Sequence, residues 1–303
     1  ALGLMSGTSM DGVDASTIFS DGDKGQITTV KNQYFEYDKD LYQKITDLRD
    51  KISNSKDLKI YSDDVKTIEK KITLFHAKVV NEMTKLHPKY ELDLVGFHGQ
   101  TIFHNAKEEL SIQLGDGKLL SHLTKTKVIY NFRNNDIKNG GQGAPLTPIF
   151  HQNLVRHLDL KRWPVVILNI GGISNATSVP RLHLSNLLED KKLELFAKDI
   201  GPGNCLIDEW IRKNSKYKYD KDGLIAKSGT IDKLVLNQAL ENFEENSNYK
   251  KSLDVRDFDI FFAKGLSLEN GAATITNFTA TLISNGMKYS HIMDKPIMYN
   301  WLV

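Results

Sequence analysis

Two rhythms of apolar and polar positions run along the chain. Near the N-terminus, short apolar runs at residues 2–5, 15–19 and 27–37 are separated by polar, glycine-bearing turns, a pattern that predicts three strands. Further on, Ile68, Ile72, Phe75, Val79, Met83 and Leu86 recur at spacings of three and four. That spacing lines one face of a long helix, which Pro88 ends. Residues 92–97 read as a buried strand, followed by a polar turn at 98–101 and short strands at 111–114 and 128–131. A glycine-rich loop at 139–145 follows.

The second half reopens with the same device. An apolar strand at 165–170 meets Gly171-Gly172, and 174–179 returns. Two strand–glycine turn–strand hairpins lie about 160 residues apart, a likeness too weak to establish a repeat by itself but one that makes a duplication worth looking for. Residues 193–199 form a further predicted strand, and Gly201-Pro202-Gly203 turns the chain. Asn204 is then placed to cap a helix with Leu206, Ile207, Trp210 and Ile211 on its apolar side. Helical patterns recur at 234–243 and through Ala272, Ile275, Phe278, Leu282 and Ile283, and 297–303 reads as a last buried strand. Mixed strands and helices of this kind predict an α/β fold, whose ligands bind outside the carboxyl ends of strands. All four polar turns, at 7–14, 98–101, 171–175 and 199–204, are expected at such ends, which predicts one shared site.

Composition narrows the class. A chain of 303 residues, 40% hydrophobic and 26% charged, suits one large or two medium globular domains. A net charge of +2 gives no electrostatic case for nucleic acid or an anionic membrane. The single cysteine, Cys205, excludes an intrachain disulfide and fits a reducing compartment, so the cytoplasm is the expected location. No apolar run approaches the roughly 20 residues that span a bilayer. The chain starts at Ala1 rather than Met, so a few residues are expected to be missing from the front.

The densest chemistry lies in Gly7, Thr8, Ser9, Met10, Asp11, Gly12, Val13 and Asp14. Glycines let backbone N–H groups cradle phosphate, hydroxyls donate to the same oxygens, and a carboxylate can hold magnesium. A plain polar hairpin turn explains the same residues. Gly7-Thr8-Ser9-Met10 also looks like the nucleophile segment of subtilisin-type proteases. Here, though, Asp11-Gly12 follows instead of a helix, no histidine precedes Ser9, and no proline comes before Pro88. No Gly-x-x-x-x-Gly-Lys-Ser/Thr loop occurs, so a P-loop kinase is unsupported. His98 and His104 are not a credible metal pair without further ligands.

The opening Leu4-Met5-Ser6-Gly7-Thr8-Ser9-Met10-Asp11-Gly12-Val13-Asp14 resembles the start of the 1,6-anhydro-N-acetylmuramic acid kinases. Further similar segments follow in family order: Phe97-His98-Gly99-Gln100-Thr101-Ile102, Asn131-Phe132-Arg133 and Gly140-Gly141-Gln142-Gly143-Ala144-Pro145-Leu146. Then come Leu168-Asn169-Ile170-Gly171-Gly172-Ile173-Ser174-Asn175 and Asp199-Ile200-Gly201-Pro202-Gly203-Asn204. Lys251-Ser252-Leu253-Asp254 and Leu268-Glu269-Asn270-Gly271-Ala272-Ala273-Thr274 complete the set. The resemblance implies a two-domain fold of the actin, Hsp70 and sugar-kinase type, ribonuclease H-like, with lobes at 1–126 and 127–303 closing on ATP. It implies phosphorylation of the sugar O6 by ATP while water opens the 1,6-anhydro bridge, giving N-acetylmuramic acid 6-phosphate in cell-wall recycling.

Roles carried over from the resemblance are these. Asp199 is the general base, although on the residues alone an aspartate that stabilises a turn or helix start is the preferred reading. Residues Gly7 to Asp14 form the first phosphate hairpin, with Asp11 holding Mg2+ and Asp14 orienting the sugar. Asn169, Gly171, Gly172, Ser174 and Asn175 form the second, and Gly201, Gly203 and Asn204 lie against the nucleotide. His98, Gln100, Thr101, Arg133, Asp136 and Gln142 line the sugar. Arg133 suits a carboxylate, or alternatively pairs with Asp136. His98 could equally be a structural histidine. The partners implied are the sugar and ATP, with a homodimer suggested by family likeness alone. The family's Cys-Gly-Gly-Gly stretch after Trp301-Leu302-Val303 is absent, so the second lobe is expected to be incomplete. Two alternatives follow: an impaired nucleotide- or sugar-binding remnant, or an actin/Hsp70-like ATPase. Residues 181–192 read as a polar surface insertion.

Overall fold

The structure is a computed structural model that describes residues 1–22, 27–86, 91–105, 108–156, 158, 160, 165–180, 196–246, 253, 255–289 and 300–302. The expected insertion at 181–192, and parts of the expected strands at 193–199 and 297–303, lie outside the described residues. The chain forms two compact units, residues 1–146 and 147–303.

Unit 1 begins with three antiparallel strands, β1 (Leu2–Ser6), β2 (Gly12–Ser20) and β3 (Ile27–Glu36). Helices α1 (Lys39–Lys51), α2 (Asp57–Ile60) and α3 (Ser62–Leu86) follow. The chain returns through β4 (Leu94–Asn105), β5 (Leu110–Leu114), α4 (Gly117–Thr124), β6 (Lys127–Tyr130) and α5 (Phe132–Lys138). The sheet runs β3-β2-β1-β4-β5, with β6 also paired to β4. β4 is parallel to both β1 and β6 and antiparallel to β5. Alternation in β1 buries Leu2, Leu4 and Ser6 and leaves Gly3 and Met5 on the open face. The buried side packs on α1 and α3 through Ile45, Leu48, Ile72 and Met83. Helix α1 was not read from the sequence. Asp38 caps it, accepting the Leu41 N–H at 2.8 Å, and Leu41, Ile45 and Leu48 are its buried stripe.

Unit 1 extends past the expected boundary at 126. β6 adds a parallel strand to β4, so β6 joins the first sheet and α5 after it belongs to unit 1.

Unit 2 holds α6 (Pro148–Arg156), β7 (Val165–Ile170), β8 (Ile173–Val179), β9 (Phe196–Pro202), α7 (Cys205–Asn214), α8 (Leu224–Ser228), α9 (Lys233–Asn246), α10 (Leu268–Tyr289) and β10 (Asn300–Leu302). Its sheet runs β10-β7-β8-β9, with β7, β8 and β9 antiparallel and β10 parallel to β7. This repeats β4-β1-β2-β3 of unit 1 strand for strand, a ribonuclease H-like arrangement in both halves. The two hairpins therefore occupy equivalent places in two equivalent sheets. Val166, Leu168, Ala176 and Ile200 pack on one sheet face with Ile283, and Val155, Val165, Ile167 and Val179 on the other. A helical core around Leu206, Trp210, Ile275 and Phe278 joins α7, α9 and α10.

Candidate functional site

In unit 1 the turn between β1 and β2 covers residues 7–11. Gly12, Val13 and Asp14, expected in the turn, belong to β2 and pair with β3. Met10 adopts a left-handed φ of 59°, and its N–H donates to the Gly7 carbonyl at 3.2 Å. Its side chain and that of Val13 are buried in the core, so both offer a ligand only backbone. The N–H groups of Thr8 and Ser9 meet no acceptor among the described residues, and both residues are exposed. Two free donors on a tight turn are the raw material of an anion cradle. Ser9 Oγ donates to Asp11 Oδ1 at 2.6 Å.

Tyr34, which has no signal in the sequence, faces Asp11, whose charge adds to burial in raising the tyrosine's pKa. It also explains Gly12. A Cβ there would lie 2.6 Å from the Tyr34 hydroxyl and 2.3 Å from the Phe35 carbonyl oxygen. Asp14 is exposed, and its pKa is raised by partial burial and by the charge of Asp11. Two repelling carboxylates beside exposed N–H donors suit a hydrated divalent cation, which relieves that repulsion. No group of three His, Cys, Asp or Glu residues among the described residues forms a metal cage. Magnesium needs none, since it retains water and takes one or two carboxylates.

The segment 98–101 is not a turn at a strand end, as expected, but the interior of β4. Leu4 pairs with Phe97 and Ser6 with Gln100, so β4 carries one residue more than β1 in this stretch. Gly99 takes up the bulge at φ +73°, and a Cβ there would meet the Leu114 carbonyl oxygen at 2.5 Å. The bulge turns Gln100 inward, where it is fully buried. Gln100 Nε2 donates to the Gly7 carbonyl at 2.9 Å, and Oε1 has no hydrogen-bond partner among the described residues. Thr101 Oγ1 accepts from Gln113 at 3.3 Å.

Arg133, on α5, donates through Nη2 to His98 Nε2 at 3.1 Å. His98 Nδ1 lies 2.7 Å from the Gly99 carbonyl, which can only accept, so the proton sits on Nδ1 and the ring is neutral. Burial lowers the His98 pKa to about 4, with the Arg133 charge adding to the effect. The alternative Arg133–Asp136 ion pair is not what forms. Asp136 instead anchors the glycine-rich loop, accepting the Gly143 N–H on Oδ2 at 2.7 Å and the Gly141 N–H on its carbonyl at 2.9 Å. Gln142 is exposed on that loop.

In unit 2 the Gly171-Gly172 turn is tied to the segment before α7. Gly203 N–H donates to the Gly172 carbonyl at 2.9 Å, and Asn204 N–H to the Gly171 carbonyl at 2.7 Å. Ser174 Oγ donates to the Pro202 carbonyl at 3.1 Å. Asn204 occupies the cap position of α7 but its side chain makes no cap bond, contrary to expectation. Asn169 is exposed beside the turn, and Asn175 pairs with Asp199 across β8 and β9.

Asp199 was expected at the end of its strand and instead lies within β9. A bulge follows it: Asn175 pairs with Asp199 and Ser174 with Gly201, leaving Ile200 as the extra, buried residue. Asp199 Oδ2 accepts the Leu253 N–H at 2.9 Å. The Lys251–Asp254 stretch singled out by resemblance thus reaches Asp199 through a backbone amide, which side-chain reasoning could not have found; Lys251, Ser252 and Asp254 lie outside the described residues.

A sequence model of the anhydro-N-acetylmuramic acid kinase family matches residues 1–296. The chain belongs to that family. It is 51% identical over 284 residues to the anhydro-N-acetylmuramic acid kinase of Pelagibacter ubique, covering 93% of this chain and 73% of that protein. Kinases of the same name from Brucella canis and Agrobacterium fabrum are each 36% identical, covering 99% and 95% of this chain and 78% and 75% of those proteins. The chain is therefore a sugar kinase, and the actin/Hsp70-like ATPase reading falls away. No helix among the described residues is long and apolar enough to cross a membrane.

Proposed function

We propose that this kinase transfers the γ-phosphoryl group of ATP to O6 of 1,6-anhydro-N-acetylmuramic acid while water opens the anhydro bridge, giving N-acetylmuramic acid 6-phosphate for cell-wall recycling. The chemistry couples the two events. O6 of the anhydro sugar is bonded to C1, so it accepts the phosphoryl group only as the C1–O6 bond breaks. C1 then needs a nucleophile, and water supplies it on losing a proton. Asp199 takes that proton, with Oδ2 already oriented by the Leu253 amide. This oriented carboxylate is the observation that carries the reading.

Phosphoryl transfer is otherwise a matter of position and charge. The Thr8 and Ser9 amides bind phosphate oxygens, and the Gly171-Gly172 turn binds the nucleotide from unit 2. Asp11 holds Mg2+, which when bound spreads the phosphate charge. Arg133, rigidly aimed by its bond to His98, receives the lactyl carboxylate of the sugar. The test incubates the purified protein with the anhydro sugar, ATP and Mg2+, and weighs the product by mass spectrometry. The expected product contains one phosphoryl group and one added water. ADP release without sugar dependence, or a phosphorylated product without the added water, refutes the reading.

A further inference from the structure

Beneath the phosphate turn lies a polar chain that the reaction scheme does not use. Ser6, the last residue of β1, is buried with Tyr37 and His76, at 1%, 4% and 0% exposure. Ser6 Oγ lies 3.0 Å from the Tyr37 hydroxyl and 3.3 Å from His76 Nε2. His76 Nδ1 lies 2.8 Å from the Ile72 carbonyl on α3. The direction of the chain is fixed by its end. A carbonyl only accepts, so Nδ1 carries the proton, Nε2 accepts from the Ser6 hydroxyl, and Ser6 accepts from Tyr37. Tyr37 is also tied to the other end of the turn, where its N–H donates to the Asp11 carbonyl at 2.8 Å. Gln100 holds the Gly7 carbonyl. The turn is thus pinned at both ends, and a one-way hydrogen-bond chain joins its root to α3. Apolar residues of similar size would fill this space without desolvating three polar groups, so bare packing does not call for the chain.

We propose that Tyr37, Ser6 and His76 are positioning residues that lock the Gly7–Asp11 turn in its phosphate-binding shape while touching no ligand. The proposal rests on the assignment of that turn to the triphosphate. The test compares Tyr37→Phe, Ser6→Ala, the double variant, His76→Gln and His76→Phe in the full chain. Two readouts are taken: KM for ATP and for the sugar, and hydrogen exchange of the Met10 amide without ligand. A net hydrogen bond is worth about a fivefold change in an equilibrium. Tyr37→Phe and Ser6→Ala are each expected to raise KM for ATP about fivefold, with KM for the sugar within twofold, and to speed Met10 exchange by a similar factor. The double variant is expected to be no worse than Ser6→Ala alone, because both break one chain. His76→Gln keeps an acceptor toward Ser6 and is expected to behave like the parent, whereas His76→Phe is not. Unchanged Met10 exchange, or effects that multiply in the double variant, overturns the strut. Faster Met10 exchange with ATP affinity unchanged upholds the strut and instead overturns the assignment of the turn to phosphate.

Discussion

Two glycines of the unit 2 hairpin region are expected to fail in opposite ways when given a methyl group. At Gly203 a Cβ would stand 2.0 Å from the Gly171 carbonyl oxygen, where ordinary contact begins at 3.4 Å. The carbonyl must therefore retreat by about 1.4 Å. That movement stretches the 2.7 Å bond from Asn204 N–H beyond hydrogen-bond range and pulls on the 2.9 Å bond from Gly203 N–H to Gly172. Two lost bonds cost about 1–3 kcal/mol. Residual crowding adds about 1 kcal/mol or more. Gly203→Ala is thus expected to destabilise the protein by about 3 kcal/mol, a fall in Tm of roughly 5 °C for a chain of 303 residues. At Gly171 the nearest atom to a Cβ is 3.7 Å away, so Gly171→Ala is expected to leave Tm within about 2 °C of the parent. It is still expected to weaken ATP binding, because the methyl group occupies the space a phosphate would approach. Thermal denaturation and calorimetric titration with ATP read the two effects separately. Equal Tm values for parent and Gly203→Ala, or equal losses for both variants, refute the packing argument.

Gly12→Ala drives a methyl group into the Phe35 carbonyl oxygen and Tyr34, and is expected to lower stability by about 2 kcal/mol or more in urea denaturation. Acid is expected to destabilise the fold. His76 and His98 are both lowered to about 4, His76 by burial and His98 by burial and Arg133, while the unfolded chain takes up their protons near 6.5. The unfolded state therefore binds more protons between those values, so stability is full above pH 6.5 and falls toward pH 4. Each histidine contributes up to about 3 kcal/mol to that loss, and a urea midpoint equal at pH 7 and pH 4.5 contradicts it. Replacing Arg133 with Met is expected to raise the His98 pKa, read by an NMR titration of the ring, and an unmoved titration shows that burial alone sets it.

Much of the architecture was legible from periodicity. The helix α3 stripe and both hairpins stand out because single apolar faces and glycine turns leave a local signature. α1, α4, α5 and α6 were missed, being short or richly charged. The bulges at Gly99 and Ile200 were also invisible, since an extra residue in a strand is defined only by its partner strand. Reading 98–101 as a turn followed from that, and the bond from Gln100 to the Gly7 carbonyl stayed out of sight for the same reason. Asp199 could be chosen by resemblance, but its Leu253 partner lies far along the chain and acts through backbone. Tyr34 and the Ser6–Tyr37–His76 chain had no sequence signal, because their meaning comes from strand register and helix packing.

The most direct measurement is sugar-dependent ADP release by Asp199→Asn beside the parent. Asparagine keeps an acceptor for the Leu253 N–H, so the fold is expected to stand and both ligands to bind. Turnover is expected to fall at least a hundredfold, the low end of what a positioned general base supplies. Turnover within a few-fold of the parent contradicts the assignment of Asp199 as the group that activates water.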